Sequence, residues 1–141
     1  MVALRYLVDA NILSNLTKAE PNEALLNHFY DKLFETAIPA PVWHELLFGF
    51  FRLPQSKKRQ AIEAFLLDFL EPRIPILEYD RKAAYWHAAE RARLGAVGKK
   101  PPFIDGQVAA IAFANGLVVV TDNTKDFRHF QGLSLENWKK S

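Results

Sequence analysis

The chain has 141 residues, a formal net charge of +2, no cysteine and a composition that is half hydrophobic. That is enough apolar material for one compact domain with its own core, here read over residues 1–141. Disulfides, zinc–thiolate centres and cysteine nucleophiles are excluded, and mild basicity permits a polyanionic partner without demanding one.

At the N-terminus the apolar run Val2-Ala3-Leu4 meets Arg5 at once, so no secretory leader is read. No stretch is long enough to span a bilayer, and a soluble cytoplasmic protein is expected. Leu4-Arg5-Tyr6-Leu7-Val8 reads as a strand that stops at Asp9. Ala10 to Leu16 forms a short helix, and Glu23 to Phe34 an amphipathic one with Leu25, Leu26, Phe29 and Leu33 on one face. Ala37-Ile38 is a short strand. Pro41 suits the start of the next helix, which runs to about Arg52. A further helix covers Ser56 to Leu70, with Ile62, Phe65, Leu66 and Phe69 as its stripe, and Pro72 ends it. Ile74 to Leu77 reads as a strand, placed at an edge because of Pro75. Asp80 caps an alanine-rich helix to about Leu94, and Gly95 to Pro102 is a basic loop. Phe103 to Asn115 is a helix stopped by Gly116. Leu117 to Thr121 has the uninterrupted β-branched pattern of a buried parallel strand, and the tail from Leu133 adds a last short one.

Alternating strands and helices imply an α/β domain with a parallel sheet and helices on both faces. Ligands then bind beyond the carboxyl ends of the strands. Two hydrophobic strands end there in an acid, at Asp9 and at Asp122. Glu45 lies early in a helix that follows a strand. Asp105 lies in the first turn of a helix that feeds a parallel strand, so it too starts at that edge. Each acid alone is explained as a cap, a turn residue or a complement to a helix dipole. Together they repel and raise one another's pKa. A hard divalent cation, Mg²⁺ or Mn²⁺, relieves that repulsion in an all-oxygen site, with Asp126 close enough to join.

The ordered set Leu7-Val8-Asp9-Ala10-Asn11, a helical Glu45, Ile104-Asp105-Gly106-Gln107-Val108 and Val120-Thr121-Asp122-Asn123-Thr124-Lys125-Asp126-Phe127 resembles PIN domains of the VapC toxins over essentially the whole chain. The resemblance implies a PIN-like, Rossmann-like three-layer α/β/α domain with a mostly parallel sheet. It also implies a Mg²⁺- or Mn²⁺-dependent endoribonuclease, the toxin of a type II toxin–antitoxin pair, that hydrolyses RNA with metal-activated water. By similarity Asp9 and Asp105 are the main metal ligands, Glu45 completes the acidic core and Asn11 orients Asp9 or a phosphate. The family's fourth acid falls at Asn123 here, with an acid one place earlier at Asp122, so Asp122, Asn123 and Asp126 all stand as candidates for that role. A VapB-type antitoxin lying in a hydrophobic groove, an RNA substrate and a homodimer are further family expectations.

Lys99, Lys100 and Lys125 flank the expected site and suit RNA phosphates. The helix from Val42 to Arg52 is apolar almost all round, which fits a core helix or one whose Trp43, Phe48, Phe50 or Phe51 faces a partner. Arg52 shares a stripe with Glu45 and is read as its ion-pair partner or a substrate contact. His28, His44, His87 and His129 show no paired ligand spacing. A PIN-like module that only binds, and a nucleotide-binding domain using the Gly95–Lys100 loop, are the two other readings.

Overall fold

The computed structural model describes residues 3–139; Met1, Val2, Lys140 and Ser141 lie outside them, and with them part of the domain span and the N-terminal run read from sequence. The first half runs β1 (Tyr6–Val8), α1 (Ala10–Leu16), α2 (Glu23–Asp31), β2 (Thr36–Pro39), α3 (Ala40–Phe51) and α4 (Lys57–Glu63). The second runs α5 (Glu71–Arg73), β3 (Ile76–Leu77), α6 (Arg81–Ala96), α7 (Phe103–Asn115), β4 (Val118–Val120), α8 (Thr124–Phe127) and β5 (Leu135–Glu136).

Five parallel strands form one sheet in the order β3-β2-β1-β4-β5. The chain builds outward from β1 through β2 to β3, then returns across the sheet to β4. Right-handed crossovers put the connections of these two halves on opposite faces, giving the three-layer α/β/α arrangement. The strand order reverses between β1 and β4, the point where such sheets open a ligand crevice. Leu7, Val8, Val119 and Val120 are fully buried at the centre, as their unbroken apolar runs require.

Three local readings are corrected. α2 stops at Asp31 rather than Phe34, and a 3-10 turn, Leu33–Glu35, follows. Thr36 Oγ1 donates to the Lys32 carbonyl at 2.7 Å and closes that turn into β2. Pro41 is the second residue of α3, not the first, because Ala40 already has helical geometry after Pro39. Pro72 does not end the helix before it. Ser56 caps α4 by accepting from Arg59 N–H, and the rod continues through a π-helical segment, Ala64–Leu70, into α5. Glu71 N–H donates to the Leu66 carbonyl, five residues back. Pro72 has no N–H for the Asp68 carbonyl; the Arg73 guanidinium donates to Asp68 and Phe69 carbonyls instead, at 3.2 and 3.0 Å.

Two contacts fix the elements that carry the rim. Glu90 on α6 is buried and accepts from Arg93 Nε and from Gln131 N–H, both at 2.8 Å, while Arg93 donates to the His129 carbonyl. This ties the turn after α8 to α6. On the same helix, buried His87 shares a 2.8 Å hydrogen bond with the Tyr79 hydroxyl through Nδ1. A Cβ placed on Gly106 of α7 would lie 2.2 Å from His87 Nε2, so the glycine permits this close helix approach. Gly106→Ala is expected to destabilise the protein by about 1–3 kcal/mol through overpacking, read as a lowered urea midpoint with an unchanged m-value.

Candidate active site

The register of β1 on β4 pairs Val8 with Val120, which brings Asp9 and Thr121 side by side at the carboxyl rim. Asp9 is 6% exposed and also caps α1. Its Oδ1 accepts from Ala10 N–H at 2.8 Å, and its Oδ2 accepts from Thr121 Oγ1 at 3.0 Å and from Asn11 Nδ2 at 3.3 Å. Burial raises its pKa; the Ala10 and Thr121 hydrogen bonds pull it back, and Asp122 and Asp126 push it up again.

Thr121 is the site residue that sequence reasoning passed over. Fully buried, its hydroxyl donates to Asp9 while accepting from Asn11 Nδ2 and, at 3.0 Å, from Asn123 N–H. Its signal was its place as the first polar residue of a strand adjacent to the one ending in Asp9. Asn11 completes the link, because its Oδ1 accepts from Asp122 N–H. The turn after β1 and the turn after β4 are therefore stitched together by uncharged polar groups.

Asp105, in the first turn of α7, faces the other acids across the cleft. Its carboxyl is pushed up to about 7, first by burial, then by the charges of Asp9 and Asp126, a hydrogen bond with Asp126, and the charge of Glu45. Asp9, Asn11, Glu45, Asp105, Asn123 and Asp126 line one open cleft of about 540 Å³. Asp126 accepts from Asn123 Nδ2.

Asp122 does not line that cleft. Its Oδ2 meets the Lys139 ammonium at 2.5 Å, since the segment after β5 returns to the rim. Lys99, Lys100 and Lys125 line an adjoining hollow. Arg52 is not brought to the cleft; its guanidinium lies 5.1 Å from the Phe48 ring centroid, on the exposed side of α3. α3 is both a core and a surface helix, with Val42 and Phe50 buried and Phe48 and Phe51 exposed.

Among the described residues, no three acidic or histidine side chains stand close enough to enclose a metal ion by themselves. The donor chemistry nonetheless suits one. The facing groups are all hard oxygens under mutual repulsion, and Mg²⁺ is held by as few as one or two carboxylates with water completing its shell.

A parallel sheet whose switch point opens onto such an acidic cleft defines a class, and the PIN domain family model matches residues 6–133; the chain belongs to that family. Within it the chain is of the VapC type. It is 32% identical to VapC ribonuclease Y4jK of Sinorhizobium fredii, covering 92% of this chain and 94% of that protein. It is 29% identical to the tRNA(fMet)-specific endonuclease VapC of Shigella flexneri, over 96% of this chain and 98% of that one. The fold matches DNA-bound VapBC from Salmonella typhimurium with a TM-score of 0.83 and 28% identity, over 96% of this chain and 98% of that chain.

The Asp105 shift fixes a pH dependence. Its folded pKa of about 7 exceeds the unfolded value of about 3.9, so the folded state binds more protons between these values and metal-free stability falls as pH rises through that window. Because Asp105 is only half buried, solvent screening discounts the full linkage value, and Asp105→Asn is expected to gain about 1–2 kcal/mol over the parent at pH 8 and almost nothing at pH 4, read by thermal melts in chelator.

Proposed function

We propose that this chain is a Mg²⁺- or Mn²⁺-dependent endoribonuclease, the toxin of a type II toxin–antitoxin pair. The observation that carries the reading is that Asp9, Glu45, Asp105 and Asp126 line one cleft, where burial first and then the charges of Asp9, Asp126 and Glu45 push the Asp105 carboxyl up to about 7. Relatives that share most of its length are named as ribonucleases.

Asp9 and Asp105 would hold the cation, with Glu45 and Asp126 available on its periphery. When bound, the ion supplies polarisation of the phosphate and activation of water for hydrolysis. The chain's own residues do the rest. Thr121 and Asn11 orient Asp9 and keep one oxygen aimed along a fixed direction. Asn123 holds Asp126 beside Asp105. Lys99, Lys100 and Lys125 neutralise RNA phosphates at the edge of the cleft. Lys139 pairs with the Asp122 carboxylate, so Asp122 serves the site mainly through its backbone N–H, which donates to Asn11 Oδ1.

A VapB-type antitoxin is the proposed protein partner, since structural neighbours at 26% and 28% identity are FitAcB from Neisseria gonorrhoeae and DNA-bound VapBC. The exposed Phe48 (54%) and Phe51 (62%) on α3 offer it apolar contact. A homodimer and a cytoplasmic location belong to the same proposal; no helix among the described residues is long and apolar enough to cross a membrane.

Purified protein is expected to cleave single-stranded RNA with Mg²⁺ or Mn²⁺ and to stop when chelator is added. Asp9→Asn and Asp105→Asn should each reduce kcat/KM by about 10²–10⁴-fold, the scale of several kcal/mol of electrostatic stabilisation. Asp122→Asn should lose markedly less. Cleavage that survives chelator, or growth arrest undiminished in Asp105→Asn, would replace this reading with that of a PIN module acting by binding alone.

A further inference from the structure

The acidic cleft and two hollows at its mouth share their walls. Pro102 and Asp126 line both the acidic cleft and a hollow of about 210 Å³ that holds Lys99, Lys100 and Lys125. Phe103 lines both the acidic cleft and a hollow of about 300 Å³ that holds Arg91 and again Lys99 and Lys100. Phe103 therefore stands where negative charge gives way to positive. It is 50% exposed, although the apolar residues deeper in its helix, Val108 and Ile111, are fully buried. The ring is braced from behind by His87, with centroids 4.9 Å apart, and the Arg91 guanidinium lies 5.1 Å from its centroid.

Among the described residues, Arg91, Lys99, Lys100 and Lys125 enter no ion pair. His129, in the same hollow as the lysines, is held below the ordinary imidazole range by desolvation and by Lys99 and Arg128. Three lysines unpaired among the described residues, and an arginine set over one side of an exposed flat ring, suit a polymer with one charge per unit along its backbone and an aromatic face on each unit. A duplex keeps its base faces stacked inside, so the complementary form is an unpaired strand.

We propose that Phe103 is a stacking platform for an unpaired RNA base next to the phosphodiester held in the acidic cleft, with Lys99, Lys100, Lys125 and Arg91 taking the adjacent phosphates. The proposal rests on the nuclease reading above and adds how substrate is seated. Stacking on a side chain accepts every base, since each has a π-face. The platform therefore confers preference for single strands over duplexes and leaves base choice to other contacts.

The test uses Asp105→Asn protein, which binds without cutting, and fluorescence anisotropy with a labelled single-stranded RNA. Phe103→Leu keeps bulk against His87 but removes the π-face, and should weaken binding about tenfold or more. Phe103→Trp should restore it, the same sequence as a duplex should bind poorly to all forms, and Lys100→Ala should flatten the salt slope by roughly 0.7. In otherwise intact enzyme, Phe103→Leu should raise KM more than it lowers kcat. Equal affinity of Phe103→Leu and its parent, at matched melting temperatures, overturns the platform and leaves the nuclease reading standing. Unchanged RNA binding with loss of a co-expressed antitoxin assigns this face to the protein partner and also overturns it. RNA binding through Phe103 without any metal-dependent cleavage would sustain the platform while the nuclease reading fell.

Discussion

Carboxylates gathered at one rim of a sheet repel one another, and this fold answers that repulsion differently at each. Asp9 is buried against three hydrogen-bond donors, the Ala10 N–H, the Asn11 amide and the Thr121 hydroxyl. Asp122 is neutralised by the Lys139 ammonium, and Asp126 leans on the Asn123 amide. Asp105 has no ion-pair partner among the described residues, and burial together with the charges of Asp9, Asp126 and Glu45 pushes its carboxyl up to about 7, toward the protonated form. A simple helix cap would not need this concentration of acid. The proposed cation would relieve that repulsion on binding.

The same unevenness explains the polar groups around the acids. Thr121 and Asn11 bridge the two turns that face each other across the β1–β4 junction. The Glu90–Arg93 pair ties the segment after α8 to α6, and the His87–Gly106 contact sets α7 against the same helix. Each acid thus rides on an element that is held somewhere else, and the geometry of the cleft does not rely on the acids attracting one another.

Much of this was legible from pattern. The β-branched run at Leu117–Thr121 reads as a buried parallel strand and the apolar run at Leu4–Val8 as another, and parallel topology sends Asp9, Glu45, Asp105 and Asp122 to one rim. What pattern could not give were relations set by tertiary contact. Asp122 and Asp126 look alike in sequence, and only the return of the chain after β5 shows that Lys139 claims the first. Arg52 shares a helical stripe with Glu45, yet its guanidinium lies against the Phe48 ring and forms no ion pair with Glu45. Pro72 reads as a stop that falls slightly early: helical geometry persists to Arg73 and ends at Ile74, with the Arg73 guanidinium donating to the Asp68 carbonyl that proline leaves without an N–H. His87 looked like scattered polarity, because its partners Tyr79 and Gly106 come from separate segments.

His87 fills the volume that any side chain at position 106 would need. The two sites cannot drift independently over evolutionary time. A lineage that replaced the glycine would first have to shrink the imidazole, and in doing so would release the Tyr79 hydroxyl and unbrace Phe103. Covariation between these positions would then record a constraint on how the aspartate-bearing helix is seated, transmitted through a residue that does not line the acidic cleft.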